Sequence, residues 1–367
     1  MTDPQLAGEA ALEQPLWYRL FPRSLSAALV SVLLAFLAGG ILIALVGGNP
    51  LVAYGTLFQS SLGSTNGLSE TAIRTVPLAL CGMGIALAFR AGVFNVGAEG
   101  QLYMGGIAAG YVGLQLAGAP QLLVLGGMAL AGALAGAVWS GIAGLLKLRF
   151  RANELITTIM LNYIAIFLAA FLLHGPLKDP ASPLAQTARL GSEARLPILL
   201  PATRLHAGIL IVLVLAALAQ LFLWRTVEGL RFRAIGQNPR AAANAGINVP
   251  RVLFAAFLLC GAFSGLAGFM EVAGVQRRMI ENLSPGYGYT AIIVALLGDT
   301  NPFGVLLAAA LFGALQIGSS TMESAAGIPG SLTTIIQALV VLFLIAQGAA
   351  PMLLRSIRRQ RRRGGTS

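Results

Sequence analysis

The sequence predicts an all-helical protein that crosses a membrane many times. Hydrophobic residues account for 57% of its 367 residues, whereas only 10% are Asp, Glu, Lys or Arg. A soluble domain carries about 25% charged residues, so this composition excludes an ordinary soluble enzyme and a disordered chain. Long uncharged stretches recur along the chain, and several reach the roughly 20 residues that a helix needs to span a bilayer. The 45 glycines fit this class, because membrane helices use glycine to bring backbones close together.

Each predicted membrane segment follows from an apolar stretch without charges. The first lies at 26–47, and the stretch 100–146 is long enough for two spans with a turn at 118–120. The region 291–320 differs, because polar residues at 299–304 divide it into two short apolar segments, 291–298 and 305–320. These segments form either one broken helix or a hairpin. In total we predict about ten segments, including broken or half helices. The remaining stretches are 75–89, 155–173, 207–224, 252–270 and 331–354.

The positions of Lys and Arg predict the orientation, because these residues concentrate in cytoplasmic loops. They occur before the first span, in the loops at 147–151 and 225–251, and at the end of the chain. Placing all four groups in the cytoplasm predicts two cytoplasmic termini. The chain then divides into an N-terminal segment at 1–25, a membrane domain at 26–350 and a basic tail at 351–367. The predicted outside loops are 48–70, 174–206 and 276–286. We attribute the net charge of +11 to topology and contact with membrane lipids, and not to nucleic-acid binding.

The reactive residues exclude several classes of function. Cys81 and Cys260 lie in apolar stretches, and with only His174 and His206 present no cluster of His and Cys can bind a metal. Both lysines follow leucine, so the Gly-Lys-Ser/Thr sequence of a phosphate-binding loop is missing. We therefore predict no catalytic residues, no metal and no cofactor, and a protein that is not itself an enzyme.

Polar residues interrupt the apolar sequence at 90–101. Asn95, Glu99 and Gln101 lie near the predicted membrane depth beside Phe94, and glycines permit an irregular backbone there. An irregular backbone survives in a membrane only inside protein or beside water, so the stretch fits a discontinuous element that lines a transport path. A tight cytoplasmic turn between two helices explains the same spacing, and both interpretations stay open.

A second polar stretch begins at Asn153, which is a favourable N-cap for a helix. Asn162 then falls about two turns inside an apolar span, where an unpaired amide costs free energy. It either forms hydrogen bonds to a neighbouring helix or faces a polar cavity. Asp299 and Asn301 occupy a comparable interruption between apolar stretches, which indicates either a faint internal repeat or a coincidence.

The loop 227–249 contains a short helix with a defined start and end. Asn238 is a favourable N-cap, Pro239 suits the first helical position and Gly246 suits the position after the last turn. A helix of about two turns is not stable alone in water, so it needs a surface on which to pack. It either docks on a partner or forms a rigid connector on its own chain.

Together these three segments resemble the permeases of bacterial ABC importers for branched-chain amino acids, ribose-type sugars and nucleosides. The resemblance covers most of the chain after about residue 25. The stretch 229–248, Gly-Leu-Arg-Phe-Arg-Ala-Ile-Gly-Gln-Asn-Pro-Arg-Ala-Ala-Ala-Asn-Ala-Gly-Ile-Asn, looks like the coupling segment that docks on the ATPase.

Two further stretches resemble one subgroup of these permeases. They are Phe-Arg-Ala-Gly-Val-Phe-Asn-Val-Gly-Ala-Glu-Gly-Gln at 89–101 and Asn-Glu-Leu-Ile-Thr-Thr-Ile-Met-Leu-Asn-Tyr at 153–163. The subgroup is served by basic-membrane-protein lipoproteins, and its members mostly import nucleosides. Sugar permeases usually carry Gly-Gly-Ile-Asp-Leu-Ser-Val-Gly at the first position instead.

The resemblance implies a type II importer fold in the bacterial inner membrane and a set of partner proteins. These are an ATPase subunit, a second permease that is commonly a different chain, and a substrate-binding lipoprotein. The candidates for the substrate path are Phe94, Asn95, Glu99, Gln101, Asn162, Asp299 and Asn301. The candidates for the ATPase-coupling loop are Gly229, Arg231, Ile235, Gly236, Asn238, Pro239, Arg240, Ala241, Ala242, Ala245 and Gly246.

The sequence therefore predicts a permease subunit of an ATP-driven importer for nucleosides, with a simple sugar of the ribose or galactose type as the alternative substrate. A secondary transporter driven by protons or sodium is a more distant alternative. It would need coupling carboxylates inside the spans, and Glu99 and Asp299 are the two candidates.

Overall fold

The computed structural model describes residues 25–346, and these residues form a bundle of α-helices. Residues 1–24 and the predicted basic tail at 351–367 lie outside the described part of the chain. Within 25–346 the β structure is limited to two isolated bridges, between Gln186 and Ile280 and between Ile198 and His206. The predicted all-helical fold class is confirmed.

The helices follow one another along the chain with short connections, apart from the long segment between α6 and α7. In chain order they are α1 (Leu25–Leu45), α2 (Pro50–Leu62), α3 (Thr65–Arg90), α4 (Ala98–Gln115), α5 (Gln121–Phe150), α6 (Glu154–His174), α7 (Gly208–Arg225), α8 (Val227–Gln237), α9 (Pro239–Asn244), α10 (Val249–Met270), α11 (Tyr287–Leu297), α12 (Pro302–Ala326) and α13 (Ser331–Ala346). A π-helical turn, Glu271–Gln276, continues α10.

Seven of the described helices are long and apolar enough to cross a membrane: α1, α3, α5, α6, α7, α10 with its π-helical turn, and α12. α11 and α13 are apolar but shorter, and α4 has 18 residues that are mostly buried inside the bundle. Within the described residues every predicted segment coincides with a helix, so the multi-pass architecture is confirmed; residues 347–354 of the last predicted segment lie outside the described part of the chain. The number of ten crossings stays a prediction.

The prediction of a loop at 48–70 is wrong, because this stretch contains α2 and the first turns of α3, while its side of the membrane stays a prediction. Asn49 is the N-cap of α2, since its Oδ1 accepts a hydrogen bond from the backbone N–H of Leu51 at 3.0 Å, and Pro50 follows at the first helical position. α2 packs closely on α12, where a Cβ atom at Gly318 would lie 2.6 Å from the carbonyl oxygen of Leu57.

The interrupted region at 291–320 forms two helices of unequal length. α11 has 11 residues and α12 has 25, with the break between them at 298–301. An 11-residue helix is about 16 Å long, which is half of a bilayer core. α11 is therefore a half-helix, whereas α12 continues six residues beyond its predicted end at 320 and reaches the length of a full span.

The centre of the bundle is α3, and 83% of its most apolar stretch is buried inside the protein. Next to it, α5 and α10 cross in direct backbone contact. A Cβ atom at Gly265 would lie 2.1 Å from the carbonyl oxygen of Gly132, and one at Gly136 would lie 2.2 Å from that of Gly261. Small residues let membrane helices approach this closely, and here they fix the frame around the polar breaks.

The bundle has two ends. We call the end that carries the 151–153 connection, α8 and α9 the basic face, because the predicted basic loops 147–151 and 225–251 meet there. We call the opposite end the loop face. It carries the segments 175–207 and 277–283, which are joined by a hydrogen bond of 2.9 Å from the Leu190 N–H to the Arg277 carbonyl.

Candidate functional site

The chain between α3 and α4 is irregular at 91–97, as the polar residues there predicted. Gly92 has a φ of +77°, a left-handed conformation that glycine adopts without strain. Phe94 is 42% exposed, and its ring stacks on that of Phe89 with the ring centres 4.8 Å apart. Phe94 thus faces outward from this single chain, whereas the three polar candidates that follow it are buried.

Asn95 holds the irregular segment together from inside. Its Oδ1 accepts from the Gly97 N–H at 2.8 Å and from the Gln101 Nε2 at 3.3 Å, while its Nδ2 donates to the Ser140 hydroxyl of α5 at 3.2 Å. Gln101 is also buried, and its Oε1 has no hydrogen-bond partner within residues 25–346. This cluster is polar and enclosed by the chain.

Glu99 joins α4 to the start of the half-helix α11. Its Oε2 accepts a hydrogen bond of 2.7 Å from the Gly288 N–H, in the first turn of α11. The Ser284 hydroxyl accepts from the Tyr287 N–H at 2.9 Å and so satisfies a second free amide. The first N–H groups of a helix carry partial positive charge, so a carboxylate stabilises a helix start inside the bundle. Discontinuous membrane helices present their ends to the substrate in many transporters.

Asn162 forms hydrogen bonds to neighbouring elements, the first of its two predicted environments. Its Oδ1 accepts from the Gly100 N–H at 2.9 Å, and its Nδ2 donates to the Val96 carbonyl at 3.0 Å and to the Tyr289 hydroxyl at 3.3 Å. Asn162 itself is fully buried, whereas Tyr289 is 38% exposed. The amide therefore links α6, the irregular segment and the half-helix.

The second predicted break, which lies at 298–301 in the structure, is also held by hydrogen bonds that involve backbone groups. Asn301 is the N-cap of α12, because its Oδ1 accepts from the Phe303 N–H at 3.0 Å and from the Gly304 N–H at 3.3 Å. The carbonyl oxygen of Asp299 accepts from the Nη2 of Arg90 at 2.8 Å. The two breaks are therefore in direct contact, since Arg90 is the last residue of α3 and borders the first break.

Sequence reasoning missed one buried polar cluster near the half-helix. Arg74 of α3 donates to the hydroxyl of Tyr287, and its charge also interacts with Glu271. Glu271 is 1% exposed, and its Oε2 has no hydrogen-bond partner within the described residues. The predicted span ended at 270 because a charged residue follows, but the helix continues through Glu271 in π-helical form. The acidic residue directly after the predicted span was therefore the sequence signal for this cluster.

The predicted short helix on the basic face is confirmed as α9. The Oδ1 of Asn238 accepts from the backbone N–H groups of Arg240 at 3.0 Å and Ala241 at 3.1 Å, and Gly246 has a left-handed φ of +80°. Ala242 is 4% exposed and anchors α9 to its own chain. The other five residues of α9 are exposed and form one free surface.

The remaining coupling candidates lie in α8 or next to α9. Ile235 is fully buried, and Gly229 is buried against the backbone of Leu223, to which a Cβ atom would come within 2.7 Å. Arg231 is exposed and pairs with Glu228. A Cβ atom at Gly236 would lie 2.1 Å from the carbonyl oxygen of Arg90. Ala245 and Gly246 are exposed after the last turn of α9.

A multi-pass helical bundle with a half-helix inside it and an exposed short helix at one end defines a membrane transport protein of the permease class. Residues 67–345 match the family described as "Branched-chain amino acid transport system / permease component". The chain belongs to this family of transporter permeases, which are transport components and not enzymes. No solved structure is detectably similar to the chain.

Several relatives cover nearly the whole chain. The glucose ABC transporter permease TsgB13 of Haloferax volcanii is 38% identical over 86% of each chain. The guanosine ABC transporter permease NupP of Bacillus subtilis is 33% identical over 90% of this chain and 96% of its own. The nucleoside ABC transporter permease NupB of Lactococcus lactis is 31% identical over 88% of this chain and 91% of its own.

Proposed function

We propose that this chain is one permease subunit of an ATP-driven importer for nucleosides in a bacterial inner membrane, with both termini in the cytoplasm. Full-length similarity to permeases named for guanosine and nucleosides supports this substrate class. The resemblance of the stretches 89–101 and 153–163 to the nucleoside subgroup agrees with this substrate class.

The second candidate substrate is a simple sugar, because the relative with 38% identity is named for glucose. Uptake of labelled guanosine by cells that express this chain with its partner subunits separates the two candidates. Inhibition by unlabelled adenosine but not by glucose or ribose supports the nucleoside. Labelled glucose uptake without guanosine uptake favours the sugar. Loss of guanosine uptake on adding an ionophore at constant ATP would favour the ion-coupled alternative.

The partner set follows from the family and from its paired members. Two different permeases of Bacillus subtilis, NupP and NupQ, are both similar to this chain, as are NupB and NupC of Lactococcus lactis. We propose a second, different permease, an ATPase that hydrolyses ATP, and a lipoprotein that delivers the substrate from outside. Genes for these three products next to the gene of this chain are the observation that would support the assembly most directly.

We propose that α9 docks on the ATPase, and a substitution on the exposed surface of α9 tests this proposal. Ala243 is exposed in the middle of α9, so Ala243→Arg adds a large charge to the docking surface while Ala242 keeps its own packing. We expect loss of the co-purified ATPase and of ATP-driven uptake. The matched control is Ala117→Arg, at an exposed alanine on the loop face, which should retain the ATPase. Retention by both variants would refute the docking role of α9.

We propose that the substrate passes the chain beside the half-helix. Phe94 and Tyr289 face outward at 42% and 38% exposure, and aromatic rings can stack on a flat base. Behind them, Asn95, Glu99, Gln101 and Asn162 hold the first break and the start of the half-helix in shape. Asp299 and Asn301 lie at the other end of the half-helix. ATP binding then moves α9, the helices tilt, and access alternates between the two membrane sides.

A further inference from the structure

The connection between the half-helix α11 and α12 has an unusual backbone. Asp299 and Thr300 have φ values of +51° and +52°, so two consecutive residues other than glycine are left-handed. This conformation is strained, above all for a β-branched residue such as Thr300. It persists only where surrounding contacts hold it in place.

Arg90 supplies these contacts from the end of α3. Its Nη2 donates to the Asp299 carbonyl at 2.8 Å, and its Nε donates to the Thr300 carbonyl at 3.3 Å. One rigid guanidinium thus binds both strained residues, which a single ammonium group cannot do with the same geometry. The guanidinium also lies over the ring of Trp224, 5.8 Å from its centre, at the end of α7.

The other side of Arg90 touches the proposed coupling segment directly. A Cβ atom at Gly236 of α8 would lie 2.1 Å from the Arg90 carbonyl oxygen and 3.3 Å from the Gly92 backbone nitrogen. The two backbones are therefore in contact with no side chain between them. Gly236 lies two residues before Asn238, the N-cap of α9, so any tilt of α8 and α9 must displace the chain at 90–92.

The half-helix is held at its other end by residues of the bundle interior. Glu99 accepts from the Gly288 N–H at 2.7 Å, and Arg74 of α3 donates to the Tyr287 hydroxyl. α11 is therefore a short rigid rod that is bound by Arg90 on the basic face and by Arg74 and Glu99 within the bundle. A rod held in this way transfers a displacement of one end to the other.

We infer that Arg90 is a positioning residue that transmits movement of α8 and α9 to the half-helix through the Asp299 and Thr300 carbonyls. The inference rests on the proposed docking of the ATPase on α9. It assigns Arg90 to neither substrate binding nor ATPase binding, so its loss should separate ATP hydrolysis from transport.

The experiment uses the complete transporter reconstituted in liposomes, with ATP hydrolysis and substrate uptake measured together. For Arg90→Ala we expect the ATPase to stay bound and active, while uptake per ATP hydrolysed falls about tenfold, a typical coupling factor between sites. Arg90→Lys should retain an intermediate ratio, because an ammonium can donate to one carbonyl. The control is Arg225→Ala, an exposed arginine on the same face, which should keep the wild-type ratio.

A second measurement reports on the half-helix itself. Tyr289→Cys introduces a thiol on α11 that faces the proposed substrate path, and both native cysteines are buried. We expect a non-hydrolysable ATP analogue to change the labelling rate of this thiol, and the additional change Arg90→Ala to abolish the response. A retained response, an unchanged ratio of uptake to hydrolysis, or the loss of bound ATPase in Arg90→Ala would each overturn the inference. If Ala243→Arg leaves the ATPase bound, the proposed docking fails separately.

Discussion

At the scale of single residues, the buried polar side chains of this permease mainly bind backbone. Glu99, Asn95 and Asn162 each accept a hydrogen bond from the main-chain N–H of an irregular segment or of a helix start. Within a membrane protein, water is not available to satisfy such groups. These side chains therefore stabilise the break at 91–97 and the start of the half-helix α11.

Removal of the Asn162 amide should destabilise the protein strongly. Asn162→Leu leaves the Gly100 N–H and the Val96 carbonyl without their partners, and each unsatisfied buried group costs about 1–3 kcal/mol. We expect a clear drop in the melting temperature of the purified protein in detergent, together with slower substrate uptake.

The control for this substitution is Thr157→Val in the same helix. The Thr157 hydroxyl donates to the Asn153 and Glu154 carbonyls of its own segment, so its loss should cost less than about 1 kcal/mol. If both variants melt at the same temperature, the linking role of Asn162 is wrong. If Asn162→Leu lowers only the folding yield and the folded protein transports normally, Asn162 is structural.

His206 on the loop face should make stability depend on pH. Burial lowers the pKa of His206 to about 4, and its Nδ1 accepts a hydrogen bond of 3.1 Å from the Gly208 N–H. The unfolded chain, with a pKa near 6.5, therefore binds the proton first. The stabilisation is complete above about pH 6.5 and is lost as the pH falls toward 4, by up to about 3 kcal/mol.

The measurement compares the free energy of unfolding at pH 7.5 and pH 5 in detergent. His206→Asn keeps an oxygen that can accept from the Gly208 N–H but removes the titration. We expect the wild type to lose about 2 kcal/mol more than this variant on acidification. An equal loss in both proteins would contradict the buried neutral state of His206.

The residues that sequence reasoning identified correctly are those whose partners are close in the chain. Asn153 and Asn238 cap helices that begin at the next residue, so local spacing was sufficient. The partner of Glu99 is Gly288, 189 positions further along the chain, and such a contact follows only from the packing. For Asn162 the sequence limited the environment to two alternatives, and the packing selected one.

At the scale of elements, the crossing of α5 and α10 depends on glycine at specific positions. A methyl group at Gly265 would lie 2.1 Å from the Gly132 carbonyl oxygen, so Gly265→Ala forces the helices apart at a cost of about 1–3 kcal/mol. Gly126→Ala in α5 is the matched control, because no atom lies within 4 Å of its Cβ position. We expect only Gly265→Ala to lower the melting temperature. If Gly265→Ala instead raised the melting temperature as much as Gly126→Ala, helix propensity and not close packing would decide.

One sequence signal marks the start of three helices in this chain. Asn followed by Pro starts α9 at 238–239, α12 at 301–302 and α2 at 49–50, with the asparagine as N-cap in each case. The signal predicted α9, whereas the charge distribution predicted a loop at 48–70, where α2 lies. The sequence predicted the half-helix α11 as a short segment. Its position depends on contacts that the segment 277–286 makes on the loop face, and no local sequence pattern predicts those contacts.

At the scale of the whole molecule, the exposed side chains indicate which faces of the bundle contact lipid and which contact a protein partner. On α5, the exposed positions in the middle of the helix are apolar, among them Leu134 and Val138. On α6, Tyr163 lies near the middle of the helix and is 50% exposed. A phenol hydroxyl at the bilayer centre has no water to bind, and leaving it unpaired in hydrocarbon is costly. We therefore expect the second permease to cover the face with Tyr163 and Tyr289.

This assignment predicts a specific cross-link in the assembled transporter. A thiol introduced by Tyr163→Cys should react through a short bis-maleimide with a thiol on the second permease, and both native cysteines are free and buried. Val138→Cys, at an even more exposed position of α5, should give no such product, because we expect α5 to face lipid there. The reverse pattern would move the permease interface to α5. In that case Tyr289 and the half-helix would face lipid, and the substrate path could not run beside them.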